Sequence, residues 1–206
     1  MILPEKIFIT GTDTGIGKTF VSAVITAGRN GYYWKPIQSG LEDMTDTEWV
    51  RSVTGLPDTH FLKEAYRLNS PLSPHISAEL DGISIDPDLI NLPNNKELLV
   101  IEGAGGVMVP LNADFVMLDL MRKFCLPVLV VARSGLGTIN HTLLTLDTLK
   151  RSGLEIIGVV MNGPVNPENR ESIERLGQVR VVAEIEPVPV INKSVLIEIY
   201  ERFFNG

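Results

Sequence analysis

The chain has 206 residues, 44% of them hydrophobic and 21% charged, with a formal net charge of −7. That length suits one domain able to bury a sizeable core, and that balance excludes an intrinsically disordered chain. With 25 acidic against 18 basic residues and no basic stripe, a nucleic-acid surface is not expected, although a few local positive groups can still hold an anionic ligand.

Met1 to Lys6 lacks a basic stretch followed by an apolar one, so no signal peptide is read. Lys6 to Thr10 reads as a buried strand ending at Gly11, and Lys18 to Arg29 as a helix. Tyr32 to Lys35 is a second strand, stopped by Pro36. The segment from Gly40 to Pro93 is interrupted by Pro57, Pro71, Pro74 and Pro87, and reads as short helices and loops carrying site residues. Leu98 to Glu102 is a strand stopped by Gly103, and a helix follows over Phe115 to Phe124. Then come a strand over Pro127 to Ala132, a helix over Ile139 to Ser152, a strand over Leu154 to Met161 and a helix over Pro167 to Leu176. Val179 to Ala183 is one more strand. The apolar runs are continuous rather than alternating, which fits parallel strands buried on both faces. None approaches the ~18 residues that span a bilayer, so no membrane partner is expected and a cytoplasmic location is. No internal repeat or low-complexity tract is present.

Several residue types carry no chemistry on this reading. Cys125, the lone cysteine, sits in Phe124-Cys125-Leu126 and is expected to be a buried core thiol. Met44, Met108, Met117 and Met121 are expected to fill the core. His60, His75 and His141 are too widely spaced for a metal cluster and are assigned to packing or surface.

The strongest signal is Gly11-Thr12-Asp13-Thr14-Gly15-Ile16-Gly17-Lys18-Thr19, which follows a strand and opens a helix. Glycines let successive backbone N–H groups turn toward phosphate oxygens, and the helix N-terminus adds unsatisfied donors and partial positive charge. Lys18 can reach the outer phosphates and the Thr19 hydroxyl can ligate Mg²⁺. The loop is a variant, because five residues rather than four separate Gly11 from Gly17. The expected architecture is a single α/β domain over residues 1–206: a doubly wound, mostly parallel sheet of the P-loop nucleoside-triphosphatase type, with helices on both faces.

With that loop, Lys35-Pro36-Ile37-Gln38-Ser39-Gly40, Ser73-Pro74-His75, Glu102-Gly103-Ala104-Gly105-Gly106, Gly137-Thr138-Ile139-Asn140-His141 and the Asn162 turn, the chain resembles the dethiobiotin synthetase family over about residues 6 to 163. The lysine and glutamate motifs together are far more specific than the loop, which many ATPases share. The resemblance implies an ATP-dependent ligase that converts 7,8-diaminopelargonate and CO₂ (or bicarbonate) into dethiobiotin through a phosphorylated carbamate, as a homodimer. It implies Lys35 and Lys18 as catalytic residues, with ATP and Mg²⁺ as co-substrate and cofactor. ATP would be held by Gly15, Ile16, Gly17, Lys18, Thr19, Phe20, Asp46, Glu102, Gly103, Ala104, Gly105 and Asn162, the last reading an adenine edge. Thr19, Asp46 and Glu102 would share the metal, with Asp43 and Glu42 as competitors of Asp46. Thr12 and Ser39 would contact the substrate. Gly137, Thr138, Ile139 and Asn140, at a helix start contributed by the partner subunit, would receive the substrate carboxylate. After residue 180 the run Glu184-Ile185-Glu186-Pro187 departs from the family pattern, leaving base contacts there open.

Two other classes share the fold. Partition or septum-site switch ATPases carry an additional lysine near the start of the phosphate loop, which Gly11-Thr12-Asp13-Thr14 lacks. Cobyrinate-type amidating ligases are usually longer, with a glutamine-hydrolysing domain.

Overall fold

The computed structural model describes residues 3–94 and 97–205. Its main sheet has seven strands in the order β4-β2-β6-β1-β7-β8-β9, and every pairing is parallel. These strands are β1 (Lys6–Gly11), β2 (Tyr32–Trp34), β4 (Phe61–Leu62), β6 (Leu99–Gly106), β7 (Val128–Arg133), β8 (Ile156–Asn162) and β9 (Val181–Ile185). A separate parallel pair, β3 (Ile37–Ser39) with β5 (Tyr66–Leu68), extends the structure beyond β2.

The two-residue strand period divides the apolar runs between two cores. Ile7, Ile9, Tyr33, Val100, Leu129, Val131 and Val160 pack on one face, under α1 (Lys18–Arg29), α2 (Asp46–Thr54) and α7 (Lys193–Phe203). Phe8, Trp34, Leu99, Ile101, Val128, Val130 and Met161 pack on the other, under α3 (Pro74–Leu80), α4 (Met117–Phe124), α5 (Thr138–Arg151) and α6 (Pro167–Gly177). Burial on both faces is why these strands read as unbroken hydrophobic runs. Helices α1 and α7 lie so close that a Cβ on Gly28 would sit 2.0 Å from the Tyr200 ring.

Helix ends follow local chemistry. Helix α1 stops at Asn30, which adopts the left-handed conformation (φ 49°) and returns its N–H to the carbonyls of Thr26 and Ala27. Helix α2 opens with a capping box: the Thr45 hydroxyl accepts from the Glu48 N–H, and the Glu48 carboxylate accepts from the Thr45 N–H.

Four expectations are corrected. Strand β6 does not stop at Gly103 but runs to Gly106, because β1 continues alongside it as far as the Gly11–Gly106 pairing. Cys125 is exposed rather than buried, since it caps α4 in the left-handed conformation (φ 48°), which turns it off the apolar face of the helix. Met117 and Met121 are core residues, but Met44 and Met108 are exposed, lying in loops outside either core. Helix α7 follows the last strand, where the sequence suggested no element, and its Leu196, Ile199 and Tyr200 complete the α1-side core.

Candidate active site

The loop between β1 and α1 lies at the carboxyl ends of the central strands, where open parallel sheets bind ligands. Gly15 (φ 70°) and Gly17 (φ 97°) both take the left-handed conformation that favours glycine. The loop is anchored on three sides. Ile16 is buried in the core, so only its backbone faces a ligand. Asn162, at the end of β8, donates from Nδ2 to the Ile16 carbonyl at 2.9 Å, and a Cβ on Gly17 would meet that nitrogen at 2.1 Å. Arg133, at the end of β7, pairs with Asp13 at 2.5 Å. Lys18 is buried, and its Nζ donates to the Asp13 carbonyl at 2.8 Å. Burial, aided by the charge of Lys35, lowers the Lys18 pKa to about 8 against the opposing pull of Glu102, Asp46 and Asp13. Phe20 is half-buried and leans on the α1-side core.

Beside Lys18 lies a compact charged cluster. Lys35 Nζ bridges Asp46 Oδ2 at 2.8 Å and Glu102 Oε1 at 3.0 Å. Thr19 Oγ1 lies 2.7 Å from Asp46 Oδ1 and 2.9 Å from Glu102 Oε1, yet one hydroxyl proton can serve only one of them at a time. Tyr33, fully buried, donates its hydroxyl to Glu102 Oε2 at 2.9 Å. Gln38 accepts the Asp46 N–H at 3.2 Å and so braces the start of α2. Glu102 itself is 1% exposed. Burial alone would depress the Lys35 pKa, but its two carboxylate partners outweigh it and raise the pKa. Burial would likewise raise Asp46, but Lys35, Thr19 and Lys18 outweigh it and hold the carboxyl below its ordinary range. Asp43 and Glu42 are exposed in the loop before α2, so Asp46 is the acid from this segment that joins the cluster. A cavity of about 660 Å³ opens over these groups, lined also by Thr14, Ser39, Pro71, Leu72, Ser73, Ala104 and Gly105.

Three oxygens therefore converge on one point: two carboxylates and a hydroxyl. Magnesium is usually held by one or two carboxylates plus waters and substrate phosphates, and this hard-oxygen donor set fits it. Among the described residues, no group of three or more His, Cys, Asp or Glu side chains is placed to hold a metal.

The family model described as an AAA domain matches residues 5–195. The ATP-dependent dethiobiotin synthetase BioD of Nitrobacter hamburgensis is 44% identical, over 98% of this chain and 95% of that protein. The enzyme of the same name from Paramagnetospirillum magneticum is 48% identical, over 92% of each. The chain belongs to the dethiobiotin synthetase family. Among solved structures, the MinC:MinD cell division protein complex of Aquifex aeolicus matches with a TM-score of 0.58 at 13% identity, covering 98% of this chain and 96% of that one. Septum-site-determining MinD of Pyrococcus horikoshii, complexed with Mg-ADP, matches with a TM-score of 0.54 at 19% identity, over 94% and 85%. At those identities the switch ATPases share the fold with the dethiobiotin synthetase family and nothing finer.

Residues picked out by the dethiobiotin synthetase pattern divide into three groups. Lys18, Thr19, Lys35, Asp46 and Glu102 meet at the charged cluster. Thr12 and Ser39 present buried hydroxyl oxygens with no protein partner among the described residues, a state shared with the core residues Thr10 and Thr26. Ala104 and Gly105 line the cavity, whereas Gly103 faces the other side of the sheet, where a Cβ would press on the Phe8 ring at 2.9 Å. Its small size thus serves packing against Phe8.

At the start of α5 the expectation is corrected in part. Thr138 is buried and spends its hydroxyl on the Arg133 carbonyl at 2.5 Å, so its side chain cannot contact a ligand. Gly137 and Asn140 are exposed and Ile139 is half-buried. A second hollow, about 450 Å³, joins Thr12 to Met108 and to the outer face of α5 at His141 and Leu144. Near the end of β9, Glu184 is taken up by Arg170 and the Asn166 N–H, while beyond that strand Glu186, Pro187 and Val188 border a hollow of about 270 Å³. Tyr33 and Gln38 were not legible as site residues. The signal for Tyr33 was its two-residue spacing from Lys35, which puts both on one strand face.

Proposed function

We propose that this protein closes the ureido ring of dethiobiotin from 7,8-diaminopelargonate, CO₂ and ATP, releasing ADP and phosphate. The observation that carries the reading is Lys35, held between Asp46 and Glu102 beside Lys18 and Thr19, in a chain whose relatives bear that activity in their names. One substrate amine attacks CO₂ and loses a proton to give a carbamate. A carbamate oxygen attacks the γ-phosphorus and ADP leaves. The second amine attacks the carbonyl of the mixed anhydride, loses a proton and expels phosphate.

The protein's part is positioning and charge. Lys18 and the loop N–H groups hold the outer phosphates. Thr19, Asp46 and Glu102 would hold Mg²⁺, whose chemistry is to neutralise charge on the β- and γ-phosphate oxygens. Lys35, once its carboxylate partners are otherwise neutralised, turns to the carbamate and the transferring phosphoryl group. Thr12 and Ser39 give their unpaired hydroxyls to the substrate, and Asn162 orients both loop and base. The working unit in this reading is a homodimer, with Ile139 and Asn140 of one subunit meeting the carboxylate of substrate bound to the other. The reading is of a cytoplasmic enzyme; among the described residues no helix is long and apolar enough to cross a membrane.

The test is phosphate release from ATP with each substrate omitted in turn. Release should require both the diamine and bicarbonate, with dethiobiotin appearing in equal amount. Hydrolysis that ignores the diamine would sink the proposal.

A further inference from the structure

Glu102 is the most enclosed charge in the cluster, and its two oxygens live in different surroundings. Oε1 faces the site, shared by Thr19 at 2.9 Å and Lys35 at 3.0 Å. Oε2 points the other way, into the sheet, and among the described residues its hydrogen bond comes from the Tyr33 hydroxyl at 2.9 Å. Tyr33 is 0% exposed, and its ring is held against Phe61 with centroids 6.5 Å apart. The hydroxyl is therefore delivered by a side chain with little freedom to move.

Strand geometry explains the pairing. Tyr33 and Lys35 lie two residues apart on the same face of β2 and just beyond its end, and β2 runs parallel to β6 with Tyr33 level with Val100. Glu102, two residues further along β6, shares that face. One strand thus brings a cation to one oxygen of the carboxylate and a neutral donor to the other.

We propose that Tyr33 is a positioning residue for the metal site: its hydroxyl fixes the Glu102 carboxylate so that Oε1 alone is presented to the cation and to Lys35. A carboxylate free to rotate could offer either oxygen, or both at once, and the compact donor geometry that Mg²⁺ demands would be lost. Outer hydrogen bonds of this kind orient metal-binding carboxylates and commonly change affinity about 10- to 100-fold.

This inference rests on Glu102 as a metal ligand, and the two can fail separately. The probe is Mn²⁺, whose binding to the protein–ADP complex is followed by electron paramagnetic resonance, alongside the Mg²⁺ dependence of turnover. Tyr33→Phe keeps the ring and removes the hydroxyl. It should bind Mn²⁺ about 10-fold more weakly and need correspondingly more Mg²⁺ for half-maximal rate. ADP affinity without metal should stay within twofold, and kcat should recover at saturating Mg²⁺. Glu102→Gln is the control for the underlying reading. If Glu102→Gln weakens Mn²⁺ binding and Tyr33→Phe does not, the positioning role is wrong. If neither does, Glu102 is not a ligand and both readings fall. Should Tyr33→Phe misfold, Phe61→Leu, which loosens the ring but keeps the hydroxyl, must give a smaller shift in the same direction; wild-type affinity there would also overturn the proposal.

Discussion

At the scale of single residues, the site stores its reactivity in two lysines with opposite electrostatics. Lys18 is buried with a pKa of about 8, against an ordinary value of 10.5. Between those values the folded chain binds fewer protons than the unfolded one, so Lys18's contribution to stability becomes more favourable as pH rises from about 8 to 10.5. Polyphosphate beside the amine restores its proton. We predict that ATP binding at pH 8 takes up about half a proton per site and at pH 6.5 almost none from Lys18. Calorimetry in two buffers of different ionisation enthalpy measures this, and equal heats in both at pH 8 would contradict it. Lys35 is the reverse case, a buried cation kept charged by Asp46 and Glu102. Lys35→Gln should lower kcat by about 10²–10³-fold, in the range of a lost transition-state donor, while leaving ATP affinity within a few-fold. It also leaves the buried Glu102 carboxylate facing the partly exposed Asp46 carboxylate without a cation between them, a loss of up to roughly 3 kcal/mol in metal-free protein. Mg²⁺ with ADP should recover much of that loss in a melting experiment. A near-normal kcat in the folded variant would remove Lys35 from the chemistry.

At the scale of elements, the site depends on where helices begin. Asp46 is the first residue of α2, and the Thr45–Glu48 capping box, with Gln38 on the Asp46 N–H, sets the angle at which that helix enters. The Thr45 hydrogen bonds hold the Glu48 carboxyl below its ordinary range, so this support is present above the unfolded value and is lost as pH falls through the folded one. Thr45→Ala should cost about 1 kcal/mol in denaturant unfolding. It should also raise the Mg²⁺ needed for half-maximal rate, whereas Thr45→Ser retains both. An unchanged Mg²⁺ requirement would show that Asp46 is placed by something other than its helix cap. The phosphate loop, the Lys35 motif and the glutamate strand were legible because each is a contiguous signal at a strand end. The capping box in Thr45-Asp46-Thr47-Glu48 was not read from the sequence; in the structure it makes Thr45 the cap and Asp46 the first helical residue, which separates Asp46 from Asp43. The short pair β3 and β5 was not legible: strands of three residues are too short to carry a periodicity that can be read.

At the scale of the whole molecule, the proposed dimer makes the sharpest prediction. Leu136 is wholly exposed (102%) on the loop before α5, beside Gly137 and Asn140, which suits a surface covered by a second copy. Because Thr138 is buried, the lesion for a complementation test belongs at Asn140. Lys35→Gln and Asn140→Glu subunits, each inactive alone, should regain activity after exchange, since a heterodimer carries both lesions in one site and leaves the other intact. If exchange is shown to occur and the mixture stays inactive, the shared site is wrong. The parallel α/β sheet and its phosphate loop were written in local order: continuous apolar runs, helix starts and glycine turns are properties of neighbouring residues. The rest depended on the tertiary structure. It brought Asp46 to Thr19 across 27 positions and Glu102 to Thr19 across 83, and it set Tyr33 behind the carboxylate. It also turned Thr138 inward and Cys125 outward. The physical reason is that strand order and register, not chain order, determine which side chains meet. The pairing of β2 with β6 arises from burying both faces of the sheet at once, which no stretch of sequence expresses alone.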